Sequence, residues 1–162
     1  MKPLFALSEP AATTKPEKKK ILLVDDDPAI RQILVRLLEE ENYLAIPAAN
    51  GDEALALAEA MKFDVVLLDL NMPVKNGWET FQELTDKNPL LPIIVITARS
   101  NQFFPALAAG VGALLEKPLD FVMLFQAIHN VMEEPAEMRL ARLAGKPSLF
   151  RYVPPVTSRP IL

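Results

Sequence analysis

Five short apolar runs, at residues 21–24, 44–48, 65–68, 93–96 and 113–115, constrain this chain more than any other feature. They are continuous runs dominated by Val, Ile and Leu without in-and-out alternation, so a strand built from one must be covered on both faces. Between them lie segments with helical spacing of apolar residues, at 29–41, 53–61, 79–86, a stretch ending near residue 109, and 121–132. Strands and helices in strict alternation bury such runs as a parallel sheet with helices on each side. The reading is therefore an α/β, doubly wound, five-stranded parallel sheet. Pro47 falls inside the second run and cannot donate a ladder hydrogen bond, so that strand belongs at an edge. The strand order 2-1-3-4-5 puts it there. Pro105 would break a continuous fourth helix, which is expected to begin near it and to leave 100–104 as a loop or distorted turn.

A chain of 162 residues accommodates one domain with a sizeable core. Residues 1–19 read as a flexible leader, 20–133 as the folded domain, and 134–162 as a C-terminal extension, a short helix followed by a proline-rich tail. A net charge of −4 disfavours a surface built mainly for nucleic acid, so direct DNA binding is not expected. The sequence has no cysteine, which excludes disulfides, thiolate zinc sites and thiol nucleophiles. No stretch has the roughly 20 apolar residues of a membrane span, and the expected location is cytoplasmic, with no membrane partner.

In an open α/β sheet the functional site forms at the carboxyl ends of the strands. Here the first strand ends in Asp25-Asp26-Asp27, the third in Asp69, the fourth in Thr97 and the fifth in Lys117-Pro118. Carboxylates brought together repel, and without a cation at least one is pushed toward its protonated form. Oxygen-only ligands on short loops suit Mg²⁺ (or Mn²⁺). A carboxylate nucleophile, a hydroxyl donor and an ammonium beside such a metal are the parts of a phosphoryl-transfer site. Asp27 stands apart: it precedes Pro28 at the start of a helix and reads as an N-cap.

The stretch Ile21-Leu22-Leu23-Val24-Asp25-Asp26-Asp27-Pro28, the run Asp69-Leu70-Asn71-Met72-Pro73 with Gly77, the step Ile96-Thr97-Ala98 and the pair Lys117-Pro118 together resemble receiver domains of two-component response regulators, chemotaxis-regulator-like in type. The resemblance covers about residues 20–133. It implies a flavodoxin-like (βα)5 fold in which Asp69 is the phosphoacceptor, Asp26 a direct metal ligand, and Asp25 an acidic partner reaching the metal through water. By the same resemblance Asn71 completes the metal shell with its backbone carbonyl, Thr97 is the switch hydroxyl and Lys117 pairs with the phosphoryl group. Its implied donor is a histidine kinase or phosphotransfer protein. Its implied output is a downstream protein, or a homodimer through the face of the fourth helix, fifth strand and fifth helix. The single histidine, His129, lies mid-helix and reads as a surface or packing residue, so the phosphate has to come from outside.

The sequence departs from that family at Leu114, where an aromatic residue usually stands three positions before the lysine, so output through a moving ring is not expected at that position. Coupling is expected instead through 100–104, which contains Phe103 and Phe104, while Arg99 flanks the path of an attacking water and is expected to influence phosphoryl lifetime. The last sheet helix carries more apolar residues than one core-facing stripe uses. Leu149, Phe150, Tyr152 and Val153 of the tail, or a second subunit, are the candidates to cover the excess. An aspartyl-nucleophile phosphatase would need an acid where Asn71 stands, so turnover of outside substrates is not expected. A flavodoxin would need a Ser/Thr/Gly-rich phosphate loop where the three aspartates stand. The remaining alternative is a degenerate receiver that only docks proteins.

Overall fold

The computed structural model describes residues 14–73, 75–146 and 150–157; most of the leader, Leu149 and the last residues of the tail lie outside them. The strands are β1 (Lys20–Val24), β2 (Leu44–Ala48), β3 (Val65–Asp69), β4 (Ile93–Thr97), β5 (Ala113–Glu116) and β6 (Arg151–Val153). The helices are α1 (Pro28–Glu40), α2 (Gly51–Ala60), α3 (Gly77–Lys87), α4 (Phe103–Ala109), α5 (Phe121–Glu133) and α6 (Ala136–Leu143). The sheet is parallel throughout, in the order β2-β1-β3-β4-β5-β6. The flavodoxin-like order is therefore present, with one strand added beyond β5.

Each central strand sends alternate residues into two separate cores. Ile21, Leu23, Val65, Leu67, Ile94, Ile96 and Leu115 pack with Leu34 and Leu38 of α1 and Leu124, Ala127, Ile128 and Val131 of α5. Leu22, Val24, Val66, Leu68, Val95 and Leu114 face Ala54 and Leu55 of α2, Phe81 and Leu84 of α3, and Ala106 of α4. This two-sided burial is why the strands read as unbroken apolar runs. It also fixes the register, because a slip by one residue would exchange the two faces.

Local signals set the helix starts. Asp27 caps α1, its Oδ1 accepting from the N–H groups of Ala29 (2.9 Å) and Ile30 (3.3 Å), with Pro28 behind it. Pro47 lies on the edge strand β2, as its missing N–H requires. The fourth helix begins at Phe103, two residues before Pro105, so the expected loop at 100–104 is shortened to 100–102 and Phe103 and Phe104 are helical; Pro105 fits in the first turn because no intrahelical donor is needed there. Its left-handed stop is Gly110, at φ 78°.

β6 is the element that periodicity does not predict. It pairs Ala113 with Arg151, Leu114 with Tyr152 and Leu115 with Val153. Val153 enters the core shared with α5, so the tail does cover part of that helix, while Phe121, Val122 and Met123 stay exposed. The connection from β4 to β5 runs through α4 on the α2–α3–α4 face, whereas the connection from β5 to β6 runs through α5 on the opposite face and then α6, and Phe150 packs back against the first face. The connection is anchored by α6: Arg142 donates from Nε to Gly110 O (3.0 Å) and from Nη1 to Glu134, and Arg139 donates to Val131 O (3.0 Å) and to Leu90 O. Both arginines are buried.

Candidate functional site

The last residue of β3 and the residues just beyond β1 and β5 meet because the register of the core strands brings their ends level. Val24 pairs with Leu68, which sets Asp25 beside Asp69, and Thr97 at the end of β4 pairs with Glu116, the residue before Lys117. Carboxylate oxygens of Asp25, Asp26 and Asp69 lie within 4.8 Å of one another. Asp25 and Asp69 are buried, and Asp26 is the most open of the three. Lys117 Nζ bridges the buried pair, 3.1 Å from Asp25 Oδ2 and 3.2 Å from Asp69 Oδ2.

Two backbone N–H groups and one guanidinium hold the acidic loops in shape. Asn71 N donates to Asp69 Oδ1 (2.9 Å), Asp27 N donates to Asp25 Oδ1 (2.9 Å), and Arg31 Nη1 donates to Asp25 O (2.7 Å). Asn71 carries a buried Oδ1 that has no hydrogen-bond partner among the described residues. Gly77 lets the loop after Asp69 close tightly: a Cβ there would lie 2.5 Å from Leu70 Cα and 2.7 Å from Asp69 O. Thr97 is fully buried on the same rim, but its Oγ1 accepts from Arg99 N (3.0 Å) and makes no bond to Asp69. The Lys117–Pro118 peptide is cis, and Lys117 N donates to Thr97 O (2.8 Å).

The electrostatics follow from two buried carboxylates sharing one ammonium. Burial pushes the Asp69 carboxyl above its ordinary value; the Asn71 N–H and the Lys117 charge pull it down, Asp25 pushes it up, and burial prevails. For Lys117, burial works against the ammonium, but Asp69 and then Asp25 outweigh it and hold the group above the usual lysine value. The two shifts share a sign for different reasons: the lysine has two carboxylates for company, whereas Asp69 has one ammonium and a second carboxylate. The rim thus has negative charge in excess and an all-oxygen donor set, the combination that fits a hard divalent cation.

All six residues singled out in the sequence stand on this rim. Glu116, which was not singled out, and Tyr152, expected only as cover for the last sheet helix, adjoin it: Tyr152 Oη donates to Glu116 Oε1 at 3.0 Å across the β5–β6 pair. A second unforeseen bond, Trp78 Nε1 to Gln102 Oε1 (2.9 Å), joins the start of α3 to the start of α4. A short aromatic and β-branched run at 151–153 was the signal available for Tyr152, and the flanking prolines masked it. His129 is exposed on α5.

The fold and its rim define an α/β domain with a carboxylate site at its strand ends, and comparison with known proteins names the family. The model of the response regulator receiver domain matches residues 21–129. Protein PilH of Pseudomonas aeruginosa is 33% identical over 117 residues, covering 70% of this chain and 97% of that protein. The transcriptional regulatory protein GlrR of Escherichia coli K12 is 36% identical over 118 residues, 72% of this chain but only 27% of that protein. The crystal structure of response regulator protein TrrA from Thermotoga maritima, in complex with Mg²⁺-BeF, superposes with a TM-score of 0.66 at 34% identity, covering 70% of this chain and 98% of that one. This chain belongs to the family of response regulator receiver domains of two-component systems. It spans about a quarter of the length of the first curated relatives it matches. No described helix is long and apolar enough to cross a membrane.

Proposed function

We propose that this chain is a phosphoacceptor domain in which Asp69 takes a phosphoryl group from a phosphohistidine donor. The observation that carries the reading is the bridging of Asp25 and Asp69 by Lys117 within a cluster of three carboxylates. A carboxylate oxygen of Asp69 forms the new P–O bond as the P–N bond to the donor imidazole breaks, and the electron pair leaves on nitrogen. Lys117 neutralises charge on the transferred group, and Thr97 offers it a hydroxyl donor once its Oγ1 turns from Arg99 N. Asp25, Asp26, Asp69 and the backbone carbonyl of Asn71 would hold Mg²⁺ (or Mn²⁺), which supplies a Lewis acid for phosphoryl oxygens. Burial of Asp69 keeps bulk water from the carboxyl and limits hydrolysis of the acyl phosphate. The chain turns over no outside substrate, since the position two after Asp69 is an amide rather than an acid.

The donor is a histidine kinase or phosphotransfer protein. Ile30, Ile33, Leu119 and Phe121 form an apolar strip beside Lys117 on which a phosphohistidine-bearing helix can rest, Ile33 being 55% exposed. Output goes to another protein or a second copy of this chain rather than directly to DNA. The test is incubation with Mg²⁺ and a small acyl-phosphate donor, comparing wild type with Asp69→Asn. An acid-stable, base-labile phosphate on wild type alone is expected. Its absence from wild type rejects the assignment and leaves a docking module, and its persistence in the variant rejects Asp69 as the acceptor.

A further inference from the structure

β6 has only three residues and is followed by Pro154 and Pro155, so its hold on the sheet depends on side chains more than on its ladder. Val153 contributes by entering the core beside α5, and Tyr152, itself 40% exposed, by two specific contacts. Tyr152 sits in register with Leu114, with its ring edge-on to Phe103 at 5.4 Å between centroids and 86° between planes. Its hydroxyl donates to Glu116, which is buried, pairs in register with Thr97 and precedes Lys117. Phe103 opens α4, six residues after Thr97, and also meets Phe150 edge-on at 5.4 Å. Tyr152 therefore touches both chain segments that leave the rim, one from β5 and one from β4.

Those segments are the ones a charge at Asp69 disturbs. The Thr97 hydroxyl is held by Arg99 N, which fixes the turn leading to Phe103, and Lys117 is held by Asp25 and Asp69. A phosphoryl group presents three strong acceptor oxygens, and the hydroxyl and the ammonium are the rim's donors to them. Turning Thr97 frees the bond that positions the turn before Phe103, and moving Lys117 displaces its neighbour Glu116. Both contacts of Tyr152 weaken together.

We propose that Tyr152 reads the state of Asp69, and that phosphorylation releases β6 from the β5 edge, making the chain's own C-terminal strand the output element. This rests on Asp69 being the phosphoacceptor. Tyr152 is a positioning residue that touches no reacting atom, and the coupling is reciprocal: whatever loosens β6 favours the charged state of the site. Release would expose the unpaired backbone of β5, a template for strand pairing.

The experiment uses the full chain with Mg²⁺, with and without beryllofluoride as the phosphoryl mimic. Binding is followed by fluorescence of Trp78, the single tryptophan, and β6 by amide exchange at 151–153. Faster exchange on binding is expected in wild type. Tyr152→Ala should bind beryllofluoride more tightly by on the order of two- to tenfold, the worth of a lost ring pair. Tyr152→Phe, which keeps the ring, should fall between. A purely structural tyrosine would leave that affinity unchanged. Binding with unchanged or slower exchange at 151–153 overturns this proposal alone. Failure of wild type to bind beryllofluoride overturns the phosphoacceptor reading and this proposal with it.

Discussion

The acidic rim and the β5–β6 edge are built by opposite means. At the rim, Asp25, Asp69, Thr97 and Lys117 stand at or just beyond strand ends whose positions are dictated by the apolar residues before them. Their own interactions are a surplus of like charge. At the edge, β6 sends a single residue, Val153, into the core, and the connection to it is held by the buried pair Arg142–Glu134 and by arginine bonds to Gly110 O, Leu90 O and Val131 O. The core thus carries the cost of the rim, whereas polar contacts carry the edge. Substitutions at the edge should cost stability, and substitutions of rim carboxylates should not.

The largest effect is expected from Arg142→Ala. It leaves the Glu134 carboxylate, 6% exposed as a side chain, without its close partner, and Gly110 O without its donor. Loss of one member of a buried pair costs about 3–5 kcal/mol. Urea denaturation of the variant measures it, and Arg142→Ala with Glu134→Ala should recover part of the loss because the stranded charge is gone. A loss below about 1 kcal/mol, the level of an exposed pair, would contradict the picture of an edge held by buried polar contacts.

Gly77→Ala comes next and probes the junction of core and rim. A Cβ 2.5 Å from Leu70 Cα cannot be accommodated by rotating a side chain, so the loop after Asp69 has to shift. Overpacking of this kind costs about 1–3 kcal/mol. The same shift moves Asp69 O and Asn71, so weaker Mg²⁺ binding should accompany the lower melting temperature. A destabilised variant with unchanged Mg²⁺ affinity would separate the loop from the site.

What the sequence discloses follows the same division. β1 to β5 are legible because burial on both faces forces unbroken apolar runs, and the rim residues are legible because a strand's end is a fixed place in such a sheet. Pro47 and Asp27 announce an edge and a cap for stereochemical reasons. β6 is not legible: three residues beside prolines carry no period. Glu116 has nothing beside it in the sequence to single it out between Leu115 and Lys117, since its partner Tyr152 lies 36 residues further along the chain. The unpredicted contact is a tertiary pairing of two residues that each have an ordinary local explanation.

The smallest effect has the most informative sign. Burial raises the Asp69 carboxyl above its ordinary value despite the Asn71 N–H and Lys117. Between the unfolded and folded values the native chain keeps a proton that the unfolded chain has released, so stability falls as pH rises through that window. Above the folded value the whole cost is present; below the unfolded value it is absent. Asp69→Asn carries no such charge. With a metal chelator present, the variant should therefore melt higher than wild type at neutral pH, and the gap should close as pH falls toward the ordinary carboxylate range. Mg²⁺ added at neutral pH should narrow or reverse the gap, because a cation that binds the native state stabilises it and the variant lacks one of its carboxylates. A variant that melts lower than wild type at neutral pH without metal would mean that the Lys117 attraction, rather than burial, governs Asp69, and that the rim stabilises the fold as the edge does.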